Sequence, residues 1–133
     1  MTDTTDRTAG PSRSQRVGWV LMAYLAGVGA LPFTSAAALG ASDALGLPDG
    51  LLGSVSLAVV GALVAWVAAR PGTAPVTQFA VGASFGPAVA LLNALVFAVT
   101  WPIEVLVLQA VSSTAGAGTY VALAARRRRL TAR

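Results

Sequence analysis

The chain has 133 residues, of which 56% are hydrophobic and 11% are charged, and its formal net charge is +4. A typical soluble domain is about 25% charged, so this composition argues against a soluble protein and favours a membrane protein. The chain contains no Cys and no His. These absences exclude disulfides, thiol chemistry and imidazole acid–base catalysis, and they remove the usual nitrogen and sulfur ligands of zinc.

The first 16 residues are polar, and the first apolar run follows them. A polar segment cannot bury enough apolar surface to fold alone, so residues 1–16 are predicted to be a disordered tail. Residues 17–40 are predicted to be a transmembrane helix, because about 20 apolar residues cross the hydrocarbon core. A cleavable signal peptide is the alternative, since a basic start precedes Ala36-Ala37-Ala38. The apolar run is longer than the usual signal core of about 7–15 residues, however.

Three further apolar runs are predicted to be spans, and they cover residues 51–69, 77–100 and 103–125. A basic tail, residues 126–133, ends the chain. The connections between the runs are short, which favours helices that alternate in direction. The predicted fold is therefore all-α, an integral membrane four-helix bundle over residues 17–125 with up-down-up-down topology.

The distribution of charge predicts the orientation of this bundle. All nine basic residues are arginines, and the four spans place them on one side of the membrane: Arg7, Arg13, Arg16, Arg70, Arg126, Arg127, Arg128, Arg129 and Arg133. The connections on the other side carry Asp43, Asp49 and Glu104 instead. Because basic residues resist translocation, both termini are predicted to be cytoplasmic, in the cell membrane. This bias also argues against insertion in both orientations.

The basic cluster Arg126–Arg129 has two interpretations. It is a topology signal in its own right, and it can also contact anionic lipid headgroups. The other arginines are divided between a tail and a loop beside apolar spans. This arrangement predicts the lipid bilayer as the partner rather than nucleic acid.

Two amide side chains inside the predicted spans form a candidate polar pair. Asn93 lies eight residues before Trp101, and Gln109 lies eight residues after it. In an antiparallel hairpin the two amides would lie at similar depth, about 12 Å from the turn. Ser84, Ser112 and Ser113 are candidates for a secondary polar lining. The pair predicts either a polar path between helices three and four or a structural hydrogen bond worth about 0.6 kcal/mol.

Small residues recur four positions apart along the spans. The pairs are Gly82/Gly86, Ala58/Ala62, Gly61/Ala65 and Ser112/Gly116. Such spacing places small residues on one helix face and predicts close packing, within the chain or between copies. A shift of 55 residues also aligns Gly27 with Gly82, Pro32 with Pro87, and Gly61 with Gly116. An internal repeat is therefore a hypothesis as well.

The sequence contains no phosphate-binding loop, dinucleotide fingerprint, nucleophile elbow or catalytic pair of carboxylates. We therefore expect a protein that is not an enzyme and that uses no cofactor and no metal. The first functional hypothesis is a structural or regulatory partner, or a complex subunit, that binds another membrane protein or a second copy of itself. The alternative is a small oligomeric channel or transporter with a polar path between helices three and four.

Overall fold

A computed structural model describes residues 11–98 and 100–132, except for the side chains of residues 49 and 50. These residues form four α-helices and no strand. The helices are α1 (Arg13–Leu45), α2 (Asp49–Val67), α3 (Pro75–Phe97) and α4 (Ile103–Thr131). Within the described residues, α1, α3 and α4 are long and apolar enough to cross a membrane. The apolar part of α2, Leu51–Val67, is shorter, so the predicted span 51–69 stays a prediction.

A reciprocal cap starts α1 inside the segment that was predicted to be a disordered tail. The backbone N–H of Ser12 donates to Gln15 Oε1 over 3.0 Å, and the Gln15 N–H donates to Ser12 Oγ over 3.3 Å. This capping box satisfies backbone donors that the first turn would otherwise leave free. Residues 1–10, which include Arg7, lie outside the described residues, as does Arg133.

Helix α1 is longer than the predicted span 17–40, because it continues through Ser42 and Asp43 to Leu45. Its 33 residues correspond to about 50 Å. Gly46 ends the helix in the left-handed conformation, and its N–H donates to the Ser42 carbonyl. Hydropathy marks the part of a helix that suits lipid, whereas backbone hydrogen bonding continues until a residue such as Gly46 stops it. The predicted loop 41–50 is thereby reduced to a short turn.

Helix α4 also extends beyond its predicted span. It includes the whole cluster Arg126–Arg129 and ends at Thr131, so most of the predicted basic tail is helical. Successive residues of an α-helix are about 100° apart, which means that the four guanidinium groups leave the helix in four directions. Two of these arginines, Arg128 and Arg129, lie in the last turn, where positive charge suits the negative end of the helix dipole.

Helix α2 occupies the centre of the bundle and contacts the other three helices. Helix α1 packs on α2, touches α3 slightly and has no contact with α4 in the described part of the chain. The core contains Ala23, Val60, Val64, Ala68, Val81 and Phe85.

Large apolar side chains cover the outside of the bundle. Leu25, Phe33 and Leu95 are 65%, 77% and 76% exposed. Only a small share of each membrane-length helix is buried inside the protein. Lipid tails solvate such a surface at no penalty, whereas contiguous apolar patches of this kind are rare on soluble monomers. The exposed apolar surface and the length and hydropathy of the helices therefore both indicate a membrane protein.

Candidate functional site

Four glycines bring the backbones of α2, α3 and α4 into contact, and we name Gly61, Gly82, Gly86 and Gly116 the glycine junction. A Cβ atom on Gly61 would lie 2.6 Å from the carbonyl oxygen of Ser113. A Cβ atom on Gly82 would lie 2.6 Å from the carbonyl oxygen of Gly61. Only a residue without a side chain permits these approaches. The small-residue spacing in the sequence is thus used for packing within the chain.

The other two glycines of the junction face α4 and α2. A Cβ atom on Gly86 would lie 2.5 Å from the Gln109 carbonyl oxygen and 2.7 Å from Ser113 Oγ. A Cβ atom on Gly116 would overlap the backbone of Ala58. Since carbonyl and backbone atoms cannot rotate away as side chains do, the junction leaves no space for an additional methyl group.

Ser113 is fully buried beside the junction and connects α4 to α3. Its Oγ lies 2.9 Å from the Ala83 carbonyl oxygen on α3 and 2.9 Å from the Gln109 carbonyl oxygen on its own helix. The hydroxyl has a single proton, so it donates to one of these acceptors at a time. Ser112 is buried next to it. Ser113 therefore supplies a hydrogen bond between α4 and α3, and its hydroxyl faces backbone carbonyls rather than open space.

Asn93 and Gln109 do not hydrogen-bond to each other. The buried Gln109 Oε1 has no hydrogen-bond partner among the described residues, and Asn93 is half-buried. The two amides are not at equal distances from the ends of their helices, because α3 ends at Phe97 while α4 begins at Ile103. Asn93 then lies about 6 Å from the end of its helix, and Gln109 about 9 Å from the start of its own.

Ser84 faces a different neighbour from the other predicted polar residues. Its hydroxyl hydrogen-bonds with the Tyr24 hydroxyl on α1. The Tyr24 ring packs edge-on against Phe85, with ring centroids 5.6 Å apart. Gly27, one turn along α1, leaves the space that the Phe85 ring and Val64 occupy. Ser84 thus helps to hold α1 against α3, on a side of α3 that faces away from Gln109.

An apolar groove opens where α3 and α4 approach the turn between them, with a volume of about 700 Å³. Its walls include Ala90, Leu91, Ala94, Ala98, Trp101 and Val107. None of the five polar residues predicted from the sequence lines this groove or the smaller cavity at the other end of the bundle. They are Ser84, Asn93, Gln109, Ser112 and Ser113. The structure places that set in three separate surroundings, with Ser112, Ser113 and Gln109 on α4, Ser84 beside Tyr24, and Asn93 further along α3.

A second cavity, which we name the basic cleft, has a volume of about 280 Å³. It lies between the first turns of α1 and the turn that joins α2 to α3, and Arg16, Trp19, Gly72, Thr73 and Thr77 are among its lining residues. Sequence reasoning missed this cleft, because it combines segments that are about 55 residues apart. The available signal was the pair Arg16 and Trp19, a cation and an indole at the start of an apolar helix.

The cluster Arg126–Arg129 is exposed at the end of α4. No protein-family model matches this chain, and comparison with curated proteins and with solved structures found no match.

Proposed function

We propose that this chain is a small multi-pass protein of the cell membrane, with four spans in up-down-up-down order and both termini in the cytoplasm. Two contacts support this orientation. The first turns of α1 share the basic cleft with Gly72, two residues after Arg70. The second half of α4 lies along the first half of α3, where Ala117 faces Gly82. Three basic segments thereby gather at one end of the bundle, as the positive-inside rule requires.

We further propose that the protein is not an enzyme and acts as a structural or regulatory partner, or as a subunit of a larger complex. The dispersal of the five predicted polar residues is the observation that supports this role. Ser113 bonds to a backbone carbonyl, Ser84 bonds to Tyr24, and the buried Gln109 Oε1 has no hydrogen-bond partner among the described residues. A permeation path would need such groups to line one cavity that water can enter. Helix packing, in contrast, uses them as isolated contacts.

The apolar groove is the surface that we assign to a transmembrane helix of the partner. Ala90 and Ala94 continue the four-residue spacing of Gly82 and Gly86 along α3, and Ala98 follows directly after the end of the helix at Phe97. The glycines of this row are buried against α4, whereas Ala94 and Ala98 are exposed in the groove. The groove thus continues the α3–α4 interface, and residues of both helices form its walls. Small residues there would allow a partner helix to approach closely. The cluster Arg126–Arg129 would contact anionic headgroups at the cytoplasmic surface.

Site-specific cross-linking tests this assignment. A photoreactive phenylalanine analogue is placed at Ala94 in the groove or, as a matched control, at Ala36, which is exposed on α1. We expect one stoichiometric cross-linked membrane protein from position 94 and none from position 36, and Ala94→Trp should abolish co-purification of the same protein. Equal cross-linking from both positions would contradict the groove assignment, and a cross-link to a second copy would make the protein a homo-oligomer.

The channel alternative is tested with the purified protein in liposomes. We expect no solute flux above that of empty liposomes. Flux that Asn93→Leu and Gln109→Leu each abolish would overturn the structural role and restore the polar path.

A further inference from the structure

The basic cleft carries features that the proposed partner role does not use. We propose that it binds the phosphate group of one anionic membrane lipid. The proposal rests on the membrane location given above, but it is independent of any partner protein. The cleft has a volume of about 280 Å³, just below the usual range of ligand pockets, about 300–1,000 Å³. The cleft can therefore enclose a phosphate with its glycerol, while the acyl chains remain in the bilayer.

The polar part of the cleft has the chemistry of a phosphate site. Arg16 lines it, and its guanidinium forms no ion pair with any described residue. A guanidinium presents donors in a planar fork that matches two phosphate oxygens. The hydroxyl-bearing residues Thr73 and Thr77 lie on the opposite wall, and no carboxylate is among the described residues that line the cleft. An anion entering it would meet hydrogen-bond donors on both of these walls.

The start of α3 adds positive potential to the same wall. Ala74, which lines the cleft, is the N-cap of this helix and offers no side-chain cap. The first turn of α3 contains no acidic residue. The positive end of the helix dipole therefore adds to the charge of Arg16. It strengthens a site that the cavity and the guanidinium already define.

The apolar part of the cleft favours a lipid over a free phosphate ion. Trp19, Val20, Ala68 and Val81 line it together with the polar residues. Indole rings prefer the boundary between headgroups and acyl chains. A soluble phosphate would leave these apolar walls uncovered, whereas the glycerol and the first methylene groups of a lipid would cover them. The amphiphilic lining thus matches an amphiphilic ligand at the end of a bundle of apolar helices.

Native mass spectrometry of the purified protein in mild detergent tests the proposal. The probes are phosphatidylglycerol, which is anionic, and phosphatidylcholine, which carries no net charge. We expect one phosphatidylglycerol molecule per chain to bind ahead of phosphatidylcholine. Arg16→Gln should weaken this binding about tenfold or more, because it removes a charge-assisted hydrogen bond. Arg13→Gln is the matched control: it removes the same charge three residues away, outside the cleft lining, and should change the affinity less than about twofold.

Three results would overturn the proposal. Equal losses in Arg16→Gln and Arg13→Gln would show diffuse attraction to the basic helix end. Displacement of the lipid by glycerol phosphate at equal concentration would assign the cleft to a soluble phosphate. We expect Thr77→Val to weaken lipid binding severalfold, and unchanged binding would exclude the wall opposite Arg16 from the site. This variant tests the cleft even if Arg16→Gln fails to fold. A missing cross-link from position 94 would contradict the partner role alone.

Discussion

At the scale of single residues, the most constrained positions are glycines at which a neighbouring backbone occupies the space of a side chain. Gly116 faces the backbone of Ala58, and Gly53 on the same helix as Ala58 has open space where a Cβ atom would be. The two glycines are chemically identical and both are helical. Their surroundings therefore predict opposite responses to the same substitution.

We predict that Gly116→Ala lowers the free energy of unfolding by about 3 kcal/mol or more, because the new methyl group would overlap backbone atoms that cannot rotate away. Gly53→Ala should be neutral or stabilising by up to about 1 kcal/mol, since alanine is the better helix former. Unfolding in detergent, followed by circular dichroism as sodium dodecyl sulfate is added, measures both. Equal stability of the two variants would show that α2 and α4 do not touch at Gly116.

At the scale of elements, the 55-residue offset has a structural counterpart in the crossing of α2 and α4. The offset pairs Gly61 with Gly116 and Ala58 with Ser113. Gly61 packs on Ser113, and Gly116 packs on Ala58, so the offset exchanges one contact for the other. A repeat of the whole hairpin would exchange α1 with α3 and α2 with α4, so the contact of α2 with α3 would require a matching contact of α4 with α1. In the described residues α1 has no contact with α4. The repeat hypothesis thus has local support at one helix crossing.

We predict that the mature protein keeps α1. Cleavage after Ala38 would remove Ala23 from the core and would also remove Gly27 and Tyr24, which pack against Phe85. Val64 and Phe85 would then lose the helix that covers them. Intact-mass spectrometry of the protein extracted from membranes should show a chain that includes residues 1–38. A mass shorter by those residues would establish the signal peptide instead.

At the scale of the whole molecule, the absence of cysteine allows a direct test of topology. A single cysteine replaces Asp43 near the end of α1, or Thr73 in the turn before α3. We predict that a membrane-impermeant maleimide labels Asp43→Cys in intact cells and labels Thr73→Cys only after the membrane is opened, because the proposed orientation places the end of the bundle that carries the arginines in the cytoplasm. Labelling in the reverse order would invert the proposed orientation.

Hydropathy and loop length were sufficient to predict an all-α chain with four helices. They could not predict the ends of those helices, which depend on local hydrogen bonds such as the capping box of Ser12 and Gln15 and on the left-handed Gly46. They also placed Asn93 and Gln109 by depth alone. Whether two residues meet depends on the rotation of each helix about its axis, and packing at the glycine junction sets that rotation. The partners of Ser84 and Ser113 were unpredictable for the same reason.

The helical arginines of α4 have one consequence for how this helix is held. Against the anionic headgroups proposed as their partner, a ring of guanidinium groups that leaves the helix in four directions would resist movement along the membrane normal. It would be indifferent to rotation, since any turn of the helix would present another arginine to the same headgroups. Gly116 and Ser113 constrain the other coordinate, because only one azimuth brings both against their partners. Because Gly116 and Ser113 also hold α4 at one height against α2 and α3, the arginines would act on the depth of the whole bundle in the membrane, while contacts inside the bundle set the azimuth of α4.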